Sequence, residues 1–382
     1  MKEIKVGFWG YGGIAKTHME AIALMNVRYP SMSRVVPETL CTRKIDENKK
    51  QLFKHVTSDK DEMLKDESIS IIDVPSPNYV HYEQALDCIK YGKAIYMEKP
   101  LTINLNDSLS LIKLVEEKKI LNRVAFIYRF IPSIAAMRDL INSGEIGDII
   151  HFNMRMYHDS YLNPEKLMTW RQQKEFAGGG SIVDLGIHLA DLVQWFFGPV
   201  DKVYAQDRIV NKARYKDKDK TEIIENDTDE FCSASIEMES GVIGTLESSR
   251  VSSHVDSGTT IHVFGTKGAL YFDADDTGKL LKKDNKTGVI STITSFKNAG
   301  DYSRYLSTLV SSSKAVGYYI NAHMGSIKSI IDTYDGTSEN PCAVDFKQAY
   351  LAQRIVEMIM KSCQEHRVVT KEEFPLDKEY FK

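Results

Sequence analysis

Short apolar runs alternate with amphipathic stretches along residues 1–122 of the chain. Runs rich in Ile and Val predict strands, and stretches with apolar positions three and four residues apart predict helices. The predicted strands are Ile4–Trp9, Glu38–Thr42, Ile69–Val74 and Ala94–Met97, and the predicted helices are Ala15–Met25, Glu47–Phe53, Tyr82–Lys90 and Ser108–Glu117. This alternation predicts an α/β fold with a doubly wound parallel sheet, a Rossmann domain, over residues 1–122.

The pattern changes over residues 123–382, where alternation with period two dominates. The predicted strands are Ile149–Met156, Phe231–Met238, Val242–Ser248, Thr260–Phe264 and Ala269–Phe272, with turn signals at Glu239–Gly241 and Gly265–Gly268. Lys212–Asp229 is highly charged and lacks an apolar period, so we expect an exposed loop there, and Phe346–Met360 predicts a closing amphipathic helix. The second domain is therefore expected to be α+β, with an open, mainly antiparallel sheet.

Composition and charge limit the binding partners and the cellular compartment that we expect. The chain has 382 residues, of which 42% are hydrophobic, and a formal net charge of -4, which suits two domains and gives no electrostatic reason to expect nucleic acid or a membrane surface as partner. No apolar run reaches the roughly 18–20 residues that span a bilayer, and the N-terminus lacks a signal-peptide pattern. The cysteines are scattered without CxxC spacing, which favours a reducing cytoplasm over a disulfide framework or zinc ribbon; they are Cys41, Cys88, Cys232, Cys342 and Cys363.

The first candidate for chemistry is a G-x-G-x-x-A turn that follows the first strand and opens the first helix. Its residues are Gly10, Gly12, Gly13, Ile14 and Ala15. In a dinucleotide site the first glycine allows the tight turn, the second admits the pyrophosphate, and the small last residue permits close helix packing. An ordinary Gly-rich turn has the same letters, but the strand–turn–helix context favours binding of NAD or NADP.

The choice between the two cofactors depends on the end of the second strand. A typical NAD site has an acid there for the ribose hydroxyl, whereas this chain has Thr42 and Arg43. Arg43 could pair with a 2′-phosphate or lie against the adenine, which leans towards NADP. Asp46 follows closely, and the predicted loop Asn26–Pro37 obscures the strand register, so the choice stays open at this point.

Glu98-Lys99-Pro100 follows the fourth strand. Ligands of open α/β sheets bind outside the carboxyl ends of the strands, so Lys99 is expected near the nicotinamide. A partly desolvated lysine beside a cationic ring could transfer or polarise a proton. The alternative is a surface lysine paired with Glu98.

A triple glycine at Gly178–Gly180 leads into a helix that carries Asp184 and His188, four residues apart on one face. Oxidation of an alcohol needs a base for the hydroxyl proton, and histidine suits that role near neutral pH. Asp184 could bind the substrate or orient the imidazole, or it could simply favour the first helical turn. His188 could also bind a metal with Asp184 or Asp191, but no third ligand has suitable spacing, so we expect no metal.

Together these motifs resemble the glucose–fructose oxidoreductase / inositol dehydrogenase family over nearly the whole chain. The matching segments are Gly10–Ala15, Asp73–His81, Glu98–Pro100, Tyr128–Pro132, Trp170-Arg171, Gly178–His188 and Gly265–Gly268. Two departures are Pro75, in place of a usual small residue, and the missing acid at Thr42-Arg43.

The resemblance implies roles for individual residues. Lys99 and His188 would handle the hydroxyl proton, and Asp184 would bind the substrate. Further cofactor contacts would come from Ser76, Asn78, His81 and Glu98, and further substrate contacts from Tyr128, Arg129, Trp170 and Arg171. The resemblance also implies a homodimer or homotetramer assembled through the second domain.

The implied function is an NAD(P)-dependent oxidoreductase that acts on a ring hydroxyl or ketone of a sugar, glycoside or cyclitol. Transient oxidation that serves epimerisation or glycoside cleavage stays open within the same class. The other class is a nucleotide-binding regulator without turnover, which is disfavoured because the chain keeps Lys99, Asp184 and His188 together.

Overall fold

The structure, a computed structural model, describes residues 2–255, 258–294 and 317–381. These residues form two compact units. The first contains the described residues of 1–131 and 307–349, and the second contains those of 132–306 and 350–382. The chain therefore returns to its first unit near the C-terminal end, which a single boundary after residue 122 does not describe.

The first unit has a parallel sheet of six strands, in the order β3-β2-β1-β4-β5-β6. Its strands are β1 Glu3–Trp9, β2 Arg34–Cys41, β3 His55–Thr57, β4 Ile69–Val74, β5 Ala94–Met97 and β6 Asn122–Val124. Its helices are α1 Gly13–Arg28, α2 Glu47–Leu52, α3 Lys60–Leu64, α4 His81–Lys90 and α5 Leu105–Lys118, with 3₁₀ turns at Asn78–Val80 and Ile127–Phe130. The strand order reverses between β1 and β4, so the predicted doubly wound sheet is confirmed, and ligands of such sheets bind at that switch point.

The segment predicted as a loop between Asn26 and Pro37 is mostly regular structure. Helix α1 continues to Arg28, and β2 already begins at Arg34. The β1–β2 register slips by one residue beyond Pro37, so that Glu38 is bulged out of the ladder. Because proline cannot donate to a ladder, it is tolerated beside such a bulge, and it hid the strand from the sequence pattern.

Helix α9, Tyr318–Tyr334, completes the first unit by packing along α1. The chain that follows is hydrogen-bonded to β6: Val124 N donates to Val344 O at 2.8 Å, and Phe346 N donates to Asn122 Oδ1 at 2.8 Å. These bonds explain why residues so far along the chain belong to the parallel-sheet unit.

The second unit contains a sheet of nine strands, in the order β16-β15-β14-β13-β7-β12-β11-β8-β17. Its strands are β7 Ile149–Tyr157, β8 Val200–Arg208, β11 Phe231–Met238, β12 Ile243–Ser249, β13 Thr259–Gly265, β14 Gly268–Asp273, β15 Leu280–Asp284, β16 Ile290–Ile293 and β17 Val369–Thr370, and a separate ribbon pairs β9 Ala213–Tyr215 with β10 Ile223–Glu225. Its helices are α6 Pro132–Asn142, α7 Lys174–Ala177, α8 Ile187–Phe197 and α10 Phe346–Glu365, the last of which contains the division at Ala349. Only the β7–β12 pair is parallel among the described strands of this sheet, so the predicted open, mainly antiparallel sheet is confirmed.

The prediction of an exposed loop at Lys212–Asp229 is wrong in part. The segment forms the β9–β10 ribbon, and it buries Arg214, whose guanidinium lies 3.1 Å from Glu230 with both side chains fully inaccessible. Glu230 also accepts hydrogen bonds from the backbone N–H groups of Val210 and Asn211. The high density of charged residues suggested an exposed segment. A charged side chain can nevertheless be buried when a hydrogen-bonded partner of opposite charge compensates it.

Strand alternation divides the large sheet into a buried face and an open face. On β7, Phe152 and Met154 are buried, whereas His151 and Asn153 lie on the other face. The stretch Lys174–Phe197 is long and apolar enough to cross a membrane by length and composition, but 89% of its most apolar window is buried within the fold. It is therefore typical of a core helix.

Candidate active site

The Gly-rich turn after β1 leaves open space at the start of α1. Gly10 has φ +108°, a conformation that favours glycine, and its N–H donates to Cys41 O at 2.9 Å. Gly12 has an ordinary φ of -96°, yet a Cβ on Gly12 or on Gly13 would meet no protein atom within 4 Å. The backbone conformation of Gly12 would suit other residues. Glycine is needed there because a side chain would fill the space that a phosphate group close to the backbone requires.

The helix N-terminus under this opening suits an anion. Helix α1 has 16 residues, and in the described structure no side chain caps it and no acid lies in its first turn. Its first N–H groups are therefore available to a ligand, and the helix dipole favours negative charge there. Ile14 belongs to this first turn, and Ala15 is fully buried, as the motif predicts. The turn fits the pyrophosphate of a dinucleotide.

The end of β2 carries the residues expected to choose between the cofactors. Thr42 and the exposed Arg43 follow the last strand residue, Cys41. Asp46 caps α2, because its side chain accepts from Lys49 N at 3.1 Å and pairs with the Lys49 ammonium at 3.0 Å. The acid that competed with Arg43 for the ribose is therefore engaged in a helix cap.

Residues that follow β4 and β5 meet at the same edge of the sheet. His81 is buried and bridges the two loops, with Nδ1 2.8 Å from Pro100 O and Nε2 3.0 Å from Ser76 O. Asn78 begins the 3₁₀ turn that connects β4 to α4. Lys99 is half-buried, and its N–H lies 3.2 Å from Glu98 Oε2.

Glu98 itself belongs to a buried cluster and not to the surface. Its side chain reaches His18 Nε2 at 3.1 Å, and the residue is 7% exposed. The surface pair of Lys99 and Glu98 considered from the sequence is therefore not the environment of this carboxylate. Tyr128 and Arg129 lie in the 3₁₀ turn of the same unit, the tyrosine half-buried and the arginine buried.

In the second unit, Asp229 anchors the helix that carries the predicted catalytic residues. Its carboxylate accepts from Gly180 N at 2.8 Å, from Ser181 Oγ at 2.6 Å and from Ile182 N at 2.9 Å. A Cβ on Gly180 would lie 1.8 Å from Asp229 O, so this glycine permits the close approach. Asp229 is thus the acid that caps this helix, while Asp184 lies in the first turn beside it, so a structural role and a substrate role both stay open for Asp184.

Asp184 is held by a buried arginine that the sequence analysis missed. Arg250 Nη2 donates to Asp184 Oδ2 at 3.0 Å, with side-chain exposures of 2% and 28%. Arg250 Nη1 also donates to the backbone oxygen of Arg171 at 3.1 Å. Arg250 therefore fixes a predicted substrate acid and the Trp170-Arg171 segment at once, and the Arg171 guanidinium lies 4.4 Å over the Trp170 ring.

His188 is the second residue of α8 and is 8% exposed. The turn before it, Ile182–Gly186, is π-helical and contains Asp184, and such turns are frequent at functional sites. Asp191, the other acid considered with His188, is buried. Within the described parts of the chain, no three-ligand cluster includes His188.

Comparisons with known proteins identify the family of both units. The family model described as an oxidoreductase family with an NAD-binding Rossmann fold matches residues 4–126, and the GFO/IDH/MocA C-terminal domain matches residues 134–271. A levoglucosan dehydrogenase of Pseudarthrobacter phenanthrenivorans is 27% identical over 292 residues, 72% of this chain and 74% of that protein. A scyllo-inositol 2-dehydrogenase (NAD(+)) of Bacillus subtilis is 28% identical over 214 residues, 55% of this chain and 57% of that protein.

A solved structure has the same fold along almost the entire chain. It is a levoglucosan dehydrogenase in complex with NADH and L-sorbose, with a TM-score of 0.86 at 24% identity, and the match covers 97% of this chain and 99% of that one. The two family models account for the Rossmann sheet and for most of the large antiparallel sheet. The chain therefore belongs to the GFO/IDH/MocA family of NAD(P)-dependent oxidoreductases, as its motifs predicted.

Proposed function

We propose that this enzyme transfers a hydride between a nicotinamide cofactor and a ring hydroxyl or ketone of a sugar, glycoside or cyclitol. The proposal rests on the Asp184–His188 segment. Asp229 caps the helix that carries this segment, and Arg250 donates a hydrogen bond to Asp184. A carboxylate fixed by Arg250 four residues before a nearly buried histidine suits a hydroxylated substrate, because one group can bind the hydroxyl and the other can take its proton. The relatives named for levoglucosan and scyllo-inositol support the substrate class.

The cofactor, held at Gly10, Gly12 and Gly13, supplies the hydride acceptor when it is bound. In the oxidation direction, His188 takes the proton of the substrate hydroxyl and becomes an imidazolium. Lys99 stabilises the negative charge that develops on the substrate during the transfer. Asp184 accepts a hydrogen bond from a substrate hydroxyl and orients the ring. Trp170 and Arg171 contribute further substrate contacts, as do Tyr128 and Arg129.

We also propose a preference for NADP. Arg43 is exposed at the end of β2, where a 2′-phosphate would lie, and Asp46 is engaged in capping α2. A guanidinium can bind a phosphate through two parallel hydrogen bonds. Thr42, Ser76, Asn78 and Glu98 remain the proposed neighbours of the rest of the cofactor. His81 is buried with both ring nitrogens on backbone oxygens, so it holds the loops beside the cofactor in place.

The function is tested by a cofactor-reduction screen. Hexoses, glycosides, anhydrosugars and inositols are offered with NAD and with NADP, and reduced nicotinamide is followed by its absorbance, with the His188→Ala enzyme as the control. Net reduction with a member of these classes is the expected result. Conversion of substrate without net reduction would point to transient oxidation for epimerisation or glycoside cleavage. Cofactor binding with no conversion of any substrate would favour the regulator.

We propose a cytoplasmic homo-oligomer that pairs through the open face of the large sheet. A cavity of about 530 Å³ lies on this sheet, and its lining includes Tyr204 and Ile243, which are 40% and 54% exposed. His151 stacks on Phe264 nearby, with ring centroids 4.3 Å apart. A second copy would cover these rings and side chains. The five cysteines all lie in the described part of the chain, where they are buried and form no disulfide, as suits a reducing compartment.

Light scattering at micromolar concentration is expected to give at least twice the chain mass of 43.4 kDa. Ile243→Asp should lower that mass, because it would place a charge in an apolar contact between copies. Val289→Asp is the matched control, since Val289 is 59% exposed and precedes the edge strand β16. A wild-type monomer would contradict the assembly proposal.

Arg250→Met is expected to lower kcat/KM for the best substrate by roughly 10–100-fold, because Asp184 loses its partner and the Arg171 backbone loses a donor. Cofactor affinity should stay unchanged, since Arg250 belongs to the unit without the Gly-rich turn. Steady-state kinetics and a cofactor titration measure the two effects. Arg208→Met, at an exposed arginine of β8, is the control, and equal effects of both variants would argue against a specific role for Arg250.

A further inference from the structure

A histidine in the first unit connects three elements that carry site residues. His18 lies on α1, and its fully buried ring has Nδ1 2.9 Å from Asp73 Oδ2 on β4 and Nε2 3.1 Å from Glu98 Oε1 beyond β5. The other oxygen of Glu98 accepts from Lys99 N at 3.2 Å. A continuous chain of contacts therefore runs from α1 to the peptide of Lys99.

The single positive charge of His18 compensates the two carboxylates of this cluster only in part, and burial raises the pKa of Asp73. Burial alone would lower the pKa of His18, but the charge of Asp73 and the hydrogen bonds to Asp73 and Glu98 raise it to about 10. Burial alone would raise the pKa of Glu98, but the hydrogen bond and charge of His18 lower it to about 2. One imidazolium thus lies between two carboxylates, and each ring nitrogen has a proton to donate.

His323, on α9, closes the cluster from the other side. Its ring centroid lies 5.2 Å from that of His18, and in the described structure neither of its ring nitrogens has a hydrogen-bond partner. Burial and the neighbouring His18 charge lower the pKa of His323 to about 3, so this ring is neutral. The other groups that face His18 are Tyr96 and, beyond Glu98, Lys99.

We propose that His18 is a positioning residue, which fixes Glu98 and the Lys99 peptide relative to the helix whose N-terminus holds the cofactor. His18 lies on the same helix as Gly13, just over one turn beyond it. Through Asp73 it ties that helix to β4, and through Glu98 to the end of β5. Small misplacements of reacting groups can lower rates about 10²-fold, so such a connection matters for the chemistry.

A metal ion is the competing occupant of this cluster. His18, Glu98 and His323 each offer one ligand atom, and these atoms lie within 4.8 Å of one another. A metal would need the His18 nitrogen that faces Glu98 in its deprotonated form. The two carboxylates on either side of the ring favour the proton instead, so the imidazolium is the cation that the geometry supports.

The test uses two substitutions that each retain part of the imidazole. Asparagine can reproduce the Nδ1 contact with Asp73, and glutamine can reproduce the Nε2 contact with Glu98. We expect His18→Asn to lower kcat by roughly 10–100-fold at unchanged cofactor affinity and His18→Gln to stay within about fivefold of wild type. His55→Asn, at an exposed histidine of the same unit, is the control. Equal losses in the Asn and Gln variants would overturn the positioning role.

A second measurement is independent of turnover. The folded-state pKa of His18 is raised from 6.5 to about 10, so its stabilising contribution is complete below about pH 6.5 and is lost as the pH rises to about 10. The difference in unfolding free energy between wild type and His18→Asn should therefore shrink over this range. A difference that does not change with pH would overturn the proposal.

This inference rests on the proposed role of Lys99, and the two arms separate the possible failures. If wild type turns over no sugar or cyclitol, the proposed function fails, and the unfolding measurement still decides whether His18 is the buried cation. Elemental analysis of the purified protein adds a further outcome. Stoichiometric zinc or a similar metal that disappears in His323→Ala would replace the imidazolium and overturn the proposal.

Discussion

Replacement of His188 by alanine is expected to lower turnover of the best substrate by about 10²–10⁴-fold, the usual contribution of a general acid–base group. Cofactor affinity should remain within about twofold, because His188 has no part in holding the pyrophosphate. His188 is 8% exposed and follows the π-helical turn at the start of α8. Alanine would therefore remove the imidazole, while the backbone hydrogen bonds to Asp229 stay in place. His366→Ala, at an exposed histidine, is the control for loss of an imidazole.

Lys99→Ala should fall in the same range of about 10²–10⁴-fold. If both side chains serve one proton transfer, the double variant should lose less than the product of the single losses. Steady-state kinetics of the four enzymes measure this coupling. Asp184→Ala should also raise the apparent KM, since its proposed role is substrate binding. Near-full turnover by His188→Ala would remove its role as base and direct attention to Lys99 or a tyrosine.

The sequence identified the features that depend on local pattern. The Gly10–Ala15 turn, the Asp184–His188 spacing and most of the strands follow from the residue order itself. The bulge beyond Pro37 broke the strand pattern, so the prediction Glu38–Thr42 covered only the second half of β2, and the density of charge around Arg214 suggested a surface loop. In both cases a tertiary partner outweighed the local signal.

The partners of the site residues could not be predicted, because they lie far away along the chain. Arg250 is 66 residues from Asp184, and His18 is 80 residues from Glu98. A lone arginine in a strand or a lone histidine in an amphipathic helix has no distinguishing local pattern. The fold brings them to the site, and covariation between such positions in related sequences is the signal that could have found them.

The sharpest test of cofactor binding is a substitution of Gly12 that should abolish binding without lowering the stability of the fold. Gly12 is the N-cap of α1 in extended conformation, where aspartate is a favoured residue, and a Cβ there meets no protein atom within 4 Å. Gly12→Asp should therefore leave thermal stability unchanged or slightly raised, while the carboxylate repels the pyrophosphate and occupies the helix N-terminus. We expect calorimetry to detect no binding of NAD or NADP by this variant.

Two further variants separate space from backbone conformation. Gly12→Ala adds only a methyl group, so it should cost less than about 1 kcal/mol of stability and still weaken cofactor binding by about tenfold or more. Gly10→Ala should instead destabilise the fold by about 1–3 kcal/mol, because Gly10 has φ +108°. Unchanged cofactor affinity in Gly12→Asp would mean that the pyrophosphate does not lie over this turn. Lost binding together with lost stability would mean that Gly12 serves the fold and not the ligand.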